Sequence, residues 1–309
     1  MNRRTFVAQV STAALVTQLP RLSAVGKPQH ASVHLFSKHL QFLDHAAMAA
    51  SAASMGFDGV DLTVRPGGHV EPAEAARLLP KVATMLRDNG LPPVLCTTSF
   101  SSPDDAHFES TLDAIAAAGF THLRMGYFRY EDRDDPVAKL AKIKPTVARL
   151  AEALAQRGLT GGLQNHAGER NVGSAIWEYQ QLLEDIEPNQ LGMQFDIRHT
   201  TADRGSSWIR DVEIALPHIN SLVFKDFIWE ANESGRPQIV NTPLGEGWVD
   251  FDRYLKRLEG LHWHVPNSLH CEYDLGGAEH GRREIDWPQA KVEAAIKRDL
   301  DRLRLLQRG

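Results

Sequence analysis

The sequence predicts a closed (β/α)8 barrel, the TIM-barrel architecture, on three observations. About eight short β-type runs alternate with longer helical runs along 309 residues, a length normal for one such barrel. The first β-type run leads into FSKHLQFL, which lacks the glycine-rich turn that a doubly wound dinucleotide-binding sheet needs there. Composition is that of an ordinary globular body, 42% hydrophobic and 24% charged, with no low-complexity tract and no interdomain linker.

Taken in chain order, residues 1–26 read as an export signal. Arg3 and Arg4 precede a mildly apolar stretch from Phe6 to Leu19, and small residues surround Ala24 and Gly26. The arginine pair and the weak apolar region resemble a twin-arginine signal, which implies a periplasmic or secreted protein. Residues 27–309 then form one barrel domain. Strands are expected near 32–36, 58–63, 92–98, 121–126, 160–164, 190–196, 220–226 and 267–273. The clearest intervening helix carries Leu140, Ile143, Val147, Leu150 and Leu154 on one stripe and stops near Gly158. Residues 227–249, with Gly, Pro and Asn, are expected to be a loop over the barrel mouth. The last helix has Val292, Ile296, Leu300 and Leu303 on one face, with Asp286 and Pro288 suited to its first turn. Cys96 and Cys271 sit in strand-like runs and read as small buried side chains rather than a disulfide.

The net charge of −5 argues against nucleic acid as a partner. No segment after the signal has the run of about 20 apolar residues that spans a membrane. A small-molecule partner is therefore expected, with an oligomer left open. Fourteen histidines invite a search for metal or acid–base chemistry.

In such a barrel, inward side chains at the carboxyl ends of the strands build the active site. Strand alternation sorts them. In LGMQFD, Leu191, Met193 and Phe195 face the helices, and Gly192, Gln194 and Asp196 face the interior. The same parity points Leu163, Leu222, Phe224, Leu269, Cys271 and Tyr273 outward. It points Gln164, Val223, Lys225, His270 and Glu272 inward. Four consecutive strands thus place Gln164, Asp196, Lys225 and Glu272 together, a costly arrangement in a dry interior. Two carboxylates, an amide oxygen and nearby imidazoles suit one divalent ion: Mn, Mg, Co or Zn. A structural ion-pair cluster, such as Lys225 with Glu272, is the alternative. Weaker candidates for substrate contact are Arg65 and His69 in RPGGHV, His166 after the fifth strand, and Trp229 after KDF.

The strings GFDGVDLTV, LQNHAG, FDIRH, VFKD, PLGEGWVDF and HCEYD, in this order and spacing, resemble the xylose-isomerase-like barrels. That superfamily includes sugar isomerases, sugar epimerases and endonuclease IV. The resemblance implies metal ligands from strands five to eight. It carries Asp196 and Glu272 over directly, and His199 as the histidine of D-x-x-H. Gln164 stands where the family has Glu, and Val223 where it has His. A glutamine can still donate its carbonyl oxygen to a metal, whereas valine cannot, leaving His199, His270 or water to complete the shell. Gln164 cannot take a proton, so Lys225 becomes the expected base, with a lowered pKa, beside Glu272 and His199. The function implied is a metal-dependent isomerase or epimerase acting on an unphosphorylated sugar or keto-sugar through an enediolate. Two alternatives are a 3-keto-glycoside lyase and a non-catalytic exported sugar-binding barrel.

Overall fold

The computed structural model describes residues 31–308, so the expected export signal lies outside the described residues. Eight parallel strands close into a barrel: β1 (Val33–Phe36), β2 (Gly59–Thr63), β3 (Leu95–Thr97), β4 (His122–Arg124), β5 (Thr160–Gln164), β6 (Leu191–Asp196), β7 (Ile219–Phe224) and β10 (Asn267–Leu269). The seam is the parallel pairing of β10 with β1, where Leu35 stands opposite Leu269. Helices α1 (His45–Met55), α2 (Ala75–Asp88), α3 (Phe108–Ala118), α4 (Pro136–Ala155), α5 (Ile176–Leu183), α6 (Ile197–Arg204), α7 (Trp208–Ala215), α8 (Phe251–Arg257) and α9 (Gln289–Arg308) complete the order.

The expected alternation holds. Leu163, Met193, Phe195, Leu222, Phe224, Leu269 and Cys271 all belong to the hydrophobic core between strands and helices. Cys96 and Cys271 are free and buried, as the sequence suggests. The expected stripe of α4 is buried, and Asp135 caps its start by accepting from the amide of Ala138. The helix ends at Ala155, and Gly158, at φ +65°, turns the chain after it.

Three expectations are corrected. β3 spans only Leu95–Thr97 rather than 92–98, because Pro92 and Pro93 cannot donate to a ladder. β10 stops at Leu269 rather than 273: Cys271 N donates to His39 Nε2 at 3.0 Å instead of to a neighbouring strand. Glu272 therefore sits on the loop beyond the strand, still on the inward side. The stretch 227–249 is no plain loop but carries an antiparallel hairpin, β8 (Asp226–Ala231) with β9 (Pro237–Thr242). Its cross-strand pairs, Ile228 with Val240 and Trp229 with Ile239, are strand formers. The turn is tied by Asn232, whose Oδ1 accepts from the amides of Ser234 and Arg236.

Candidate active site

β7 ends at Phe224, which is locked in the core, so the next residue, Lys225, points into the barrel mouth. Its side chain is 4% exposed. Nζ lies 3.1 Å from Asp196 Oδ2, 3.1 Å from Glu272 Oε2 and 2.8 Å from His199 Nε2. Asp196 closes β6 and opens α6: its Oδ1 accepts from the amides of Arg198 and His199, leaving Oδ2 for the interior. Glu272 receives a second ammonium, Lys38 Nζ, at 2.9 Å on Oε1.

Burial works against the charge on Lys225, but Asp196 and then Glu272 outweigh it and lift its pKa above the usual lysine value. The expected lowered pKa is thus corrected: Lys225 is a held cation and not a ready base. Burial opposes ionisation of Glu272, yet Lys225 and Lys38 hold its carboxyl well below the usual carboxylate range. Burial, then Lys225, drive His199 well below the ordinary imidazole value. Its Nδ1 meets Arg198 Nη1 at 3.0 Å, so this ring is neutral between two cations. His166 lies against it, ring centroids 3.8 Å apart. Nδ1 of His166 lies 2.9 Å from the carbonyl of Ala167 and 3.3 Å from Asn171 Nδ2; the shorter contact is to an acceptor and calls for a proton on Nδ1, with the lone pair on Nε2. Its pKa is also lowered, by burial and then by Lys225.

Gln164, at the end of β5, has its carbonyl oxygen already used. Arg124 Nη1 donates to it at 3.0 Å and Tyr127 OH at 2.5 Å, while its amide nitrogen donates to Asp196 Oδ2 at 2.9 Å. This pattern settles the amide orientation: donors lie on the oxygen side and a carboxylate on the nitrogen side.

These residues do not fit the divalent ion expected from Gln164, Asp196 and Glu272. The oxygen of Gln164 is committed to two donors, and its NH2 group faces the carboxylate that would bind the metal. Val223, buried on β7, offers nothing. The ammonium of Lys225 sits between the two carboxylates, where it supplies the positive charge itself. Among the described residues, no group of three or more His, Cys, Asp or Glu is placed to hold a metal. His270 stacks on Phe36 and its Nε2 meets Ser268 Oγ at 3.1 Å, while its Nδ1 has no hydrogen-bond partner among the described residues and lies 3.9 Å from Glu272 Oε1.

The other predicted residues are spread around the mouth. Arg65 is half-buried, its guanidinium 5.6 Å from the centroid of Phe36. His69 is not part of the cluster: its Nδ1 meets Ser37 Oγ at 3.1 Å within a buried loop network. Trp229 is half-buried on β8, with its ring against Phe227. The hairpin does reach the site through Asn241, which accepts from Arg198 Nη2 at 2.5 Å and donates to the carbonyl of Glu272 at 3.1 Å. Lys38, Arg124, Tyr127 and Arg198 are site residues that the sequence reading missed. Arg124 was accessible to it, since strand parity applied to β4 points Arg124 inward beside Gln164.

Among the described residues, no helix is long and apolar enough to cross a membrane. No curated protein sequence matches the chain. Solved structures do. L-ribulose 3-epimerase is similar at a TM-score of 0.66 and 14% identity, covering 90% of this chain and 95% of that one. D-psicose 3-epimerase with D-tagatose, from Clostridium cellulolyticum H10, gives 0.64 and 12%, over 90% and 99%. A xylose isomerase-like TIM barrel protein from Mycobacterium smegmatis, in complex with magnesium, gives 0.61 and 15%, over 87% and 98%. At such identities the likeness concerns the fold. Residues 49–304, nearly the whole barrel and all the strands that carry the Lys225 cluster, match one family description. The chain belongs to the xylose isomerase-like TIM barrel family.

Proposed function

We propose that this protein is an enzyme of the sugar isomerase and epimerase kind, which enolises an unphosphorylated sugar or keto-sugar using a lysine ammonium as its electrophile. The observation that carries this reading is the seat of Lys225, within 3.1 Å of Asp196, Glu272 and His199 at the carboxyl ends of the strands. A cation fixed in a water-poor site stabilises a developing oxyanion without reorganising as the charge appears. The Lys225 N–H that meets His199 turns to the substrate carbonyl oxygen. His166 Nε2 removes the proton from the adjacent carbon, and the electron pair moves onto that oxygen to give the enediolate. Return of the proton from His166 to the former carbonyl carbon, with the neighbouring hydroxyl proton passing to the first oxygen, gives the isomer; a solvent proton delivered to the opposite face of the original carbon gives the epimer. Asp196 and Glu272 hold the ammonium in place. The same enolate would expel a substituent on the next carbon, so elimination from a 3-keto-glycoside is the second reading, favoured by the same lysine. A released aglycone separates the two.

The test is deuterium uptake from solvent into a panel of neutral sugars and 3-keto-glycosides, followed by NMR. The parent should exchange the hydrogen beside the carbonyl. Lys225→Gln and His166→Gln should each slow exchange by about a hundredfold or more while remaining folded. Parent-level exchange in Lys225→Gln would overturn the assignment.

A further inference from the structure

The two carboxylates at the mouth are taken by lysines, Asp196 and Glu272 by Lys225, and Glu272 also by Lys38. Three guanidinium groups beside them are left without a carboxylate partner among the described residues: Arg198, which is held by His199 and Asn241, and Arg65 and Arg124. Arg124, 5% exposed, gives one nitrogen to the neutral groups Gln164 and Tyr127, and its Nε, fully enclosed, has no partner at all. Among the described residues, Arg65 makes no side-chain hydrogen bond; its guanidinium lies against the ring of Phe36, which Lys38 Nζ also approaches, at 5.5 Å. Arg65 and Arg124 are near neighbours by topology. Thr63 pairs with Thr97 and Thr97 with Arg124, and Arg65 follows Thr63 by two residues, on the same side of the chain. Their closeness is felt electrostatically: burial, then the charge of Arg124, depress the pKa of Arg65. An arginine stays protonated in a protein, and the buried carboxylate of Asp61, which no lysine holds, accepts from the hydroxyls of Thr97 and Ser268 and meets these two guanidinium groups only at a distance, so they keep their faces toward the mouth without a carboxylate in contact. Desolvated, unpaired charge is costly unless a partner arrives to meet it.

We propose that Arg65 and Arg124 form an oxyanion subsite, and that the sugar this enzyme handles carries a carboxylate, as aldonates, uronates and keto-acids do. The inference rests on the enolisation reading above and narrows its substrate class. A planar carboxylate matches the fork of a guanidinium, and Lys38, 5.5 Å from the centroid of the same Phe36 ring, adds a third positive charge nearby. The carbonyl of such a substrate would then be turned toward Lys225, across the mouth from the arginines.

The experiment compares binding of matched probes to the full chain by calorimetry and thermal shift: gluconate, glucuronate and glyceric acid against glucose and glyceraldehyde, with glucose 6-phosphate as the other oxyanion source. The acids should bind at least about tenfold more tightly than the neutral partners, and Arg65→Gln should lose that advantage while Arg65→Lys keeps part of it. Arg65 is half-buried, so an unliganded melt of Arg65→Gln near the parent value separates lost binding from lost folding. Equal binding of acid and neutral probes, or full acid preference in a folded Arg65→Gln, would overturn the subsite. Preference for the phosphate ester over both acids would overturn the carboxylate assignment. Hydrogen exchange in neutral sugars without acid binding would sink this inference and leave the enolisation reading. Arg65-dependent acid binding without exchange in any probe would keep the subsite and sink that reading.

Discussion

Asp196 does two jobs with two oxygens, and substitutions can separate them. Asp196→Asn keeps a side chain that caps helices well but removes the charge opposite Lys225. Breaking one partner of a buried pair costs about 3 kcal/mol, and Asp196→Ala adds about 1 kcal/mol for the lost cap. Urea unfolding of the two variants should therefore differ by the cap alone, while both lose hydrogen exchange. Equal stability of the two would show that the cap contributes nothing. His166 gives a sign for the pH profile. Its pKa lies below the ordinary imidazole value, and the base form is the neutral ring. Turnover should hold steady as pH falls toward 6.5 and decline only at lower pH, with the acid limb vanishing in His166→Gln. An acid limb centred above 7 would assign the base elsewhere. At this scale strand parity was enough to place Gln164, Asp196, Lys225 and Glu272 on the inner face. It could not tell that Gln164 spends its oxygen on Arg124 and Tyr127, because that depends on what a neighbouring strand and loop present to it.

At the scale of elements, two of the motifs that carry the family resemblance are one structural device. Asp226, from VFKD, collects the amides of Phe227, Gly245, Gly247 and Val249, the last three from PLGEGWVDF. This fastens both ends of the β8–β9 hairpin to the barrel. Gly247 must lack a side chain, since a Cβ there would lie 2.3 Å from Asp226 Oδ1 and from the carbonyl of Phe227. Asp226→Ala should cost about 2–4 kcal/mol, as several charge-assisted bonds lose their acceptor together. It should also expose residues 227–242 to limited proteolysis before the barrel unfolds. A hairpin as protease-resistant as the parent's would refute the fastening role. The sequence suggested a loop here because the Gly, Pro and Asn of the turns outweigh the short strand-forming runs between them.

For the molecule as a whole, the interior mixes hydrophobic packing with neutral buried histidines. Burial holds His34 at about 4 and His69 at about 4, with His39 pushed to about 3. The unfolded chain titrates these rings near 6.5, so below that pH it binds protons that the folded chain refuses. Stability is therefore full above 6.5 and falls as pH drops toward 4, by about 3 kcal/mol from His34 alone. Urea midpoints at pH 7.5, 6 and 5 should decline in that order, and a flat series would contradict it. Metal content belongs to this scale too. With Lys225 between the carboxylates, the purified chain should hold well below one equivalent of divalent ion, and a chelator should leave hydrogen exchange unchanged. A stoichiometric ion that chelation removes together with activity would mean the ammonium yields its seat in the loaded protein.

What the sequence by itself determined is what repeats locally. Alternating β-type and helical runs specified a closed barrel, and the two-residue period of each strand specified which side chains enter its mouth. Both follow from backbone geometry, which is written residue by residue. Only the tertiary structure decided what those side chains do to one another. Lys38 comes from the first strand end and Glu272 from the last, and they meet because β10 closes on β1. Lys225 keeps its charge because two carboxylates from different strands outweigh its burial. Arg65 and Arg124 have no carboxylate in contact because Lys225 and Lys38 hold Asp196 and Glu272, while the hydroxyls of Thr97 and Ser268 hold Asp61. Charge in a buried site is set by the sum of groups that closure brings together, and no segment of the chain carries that sum on its own.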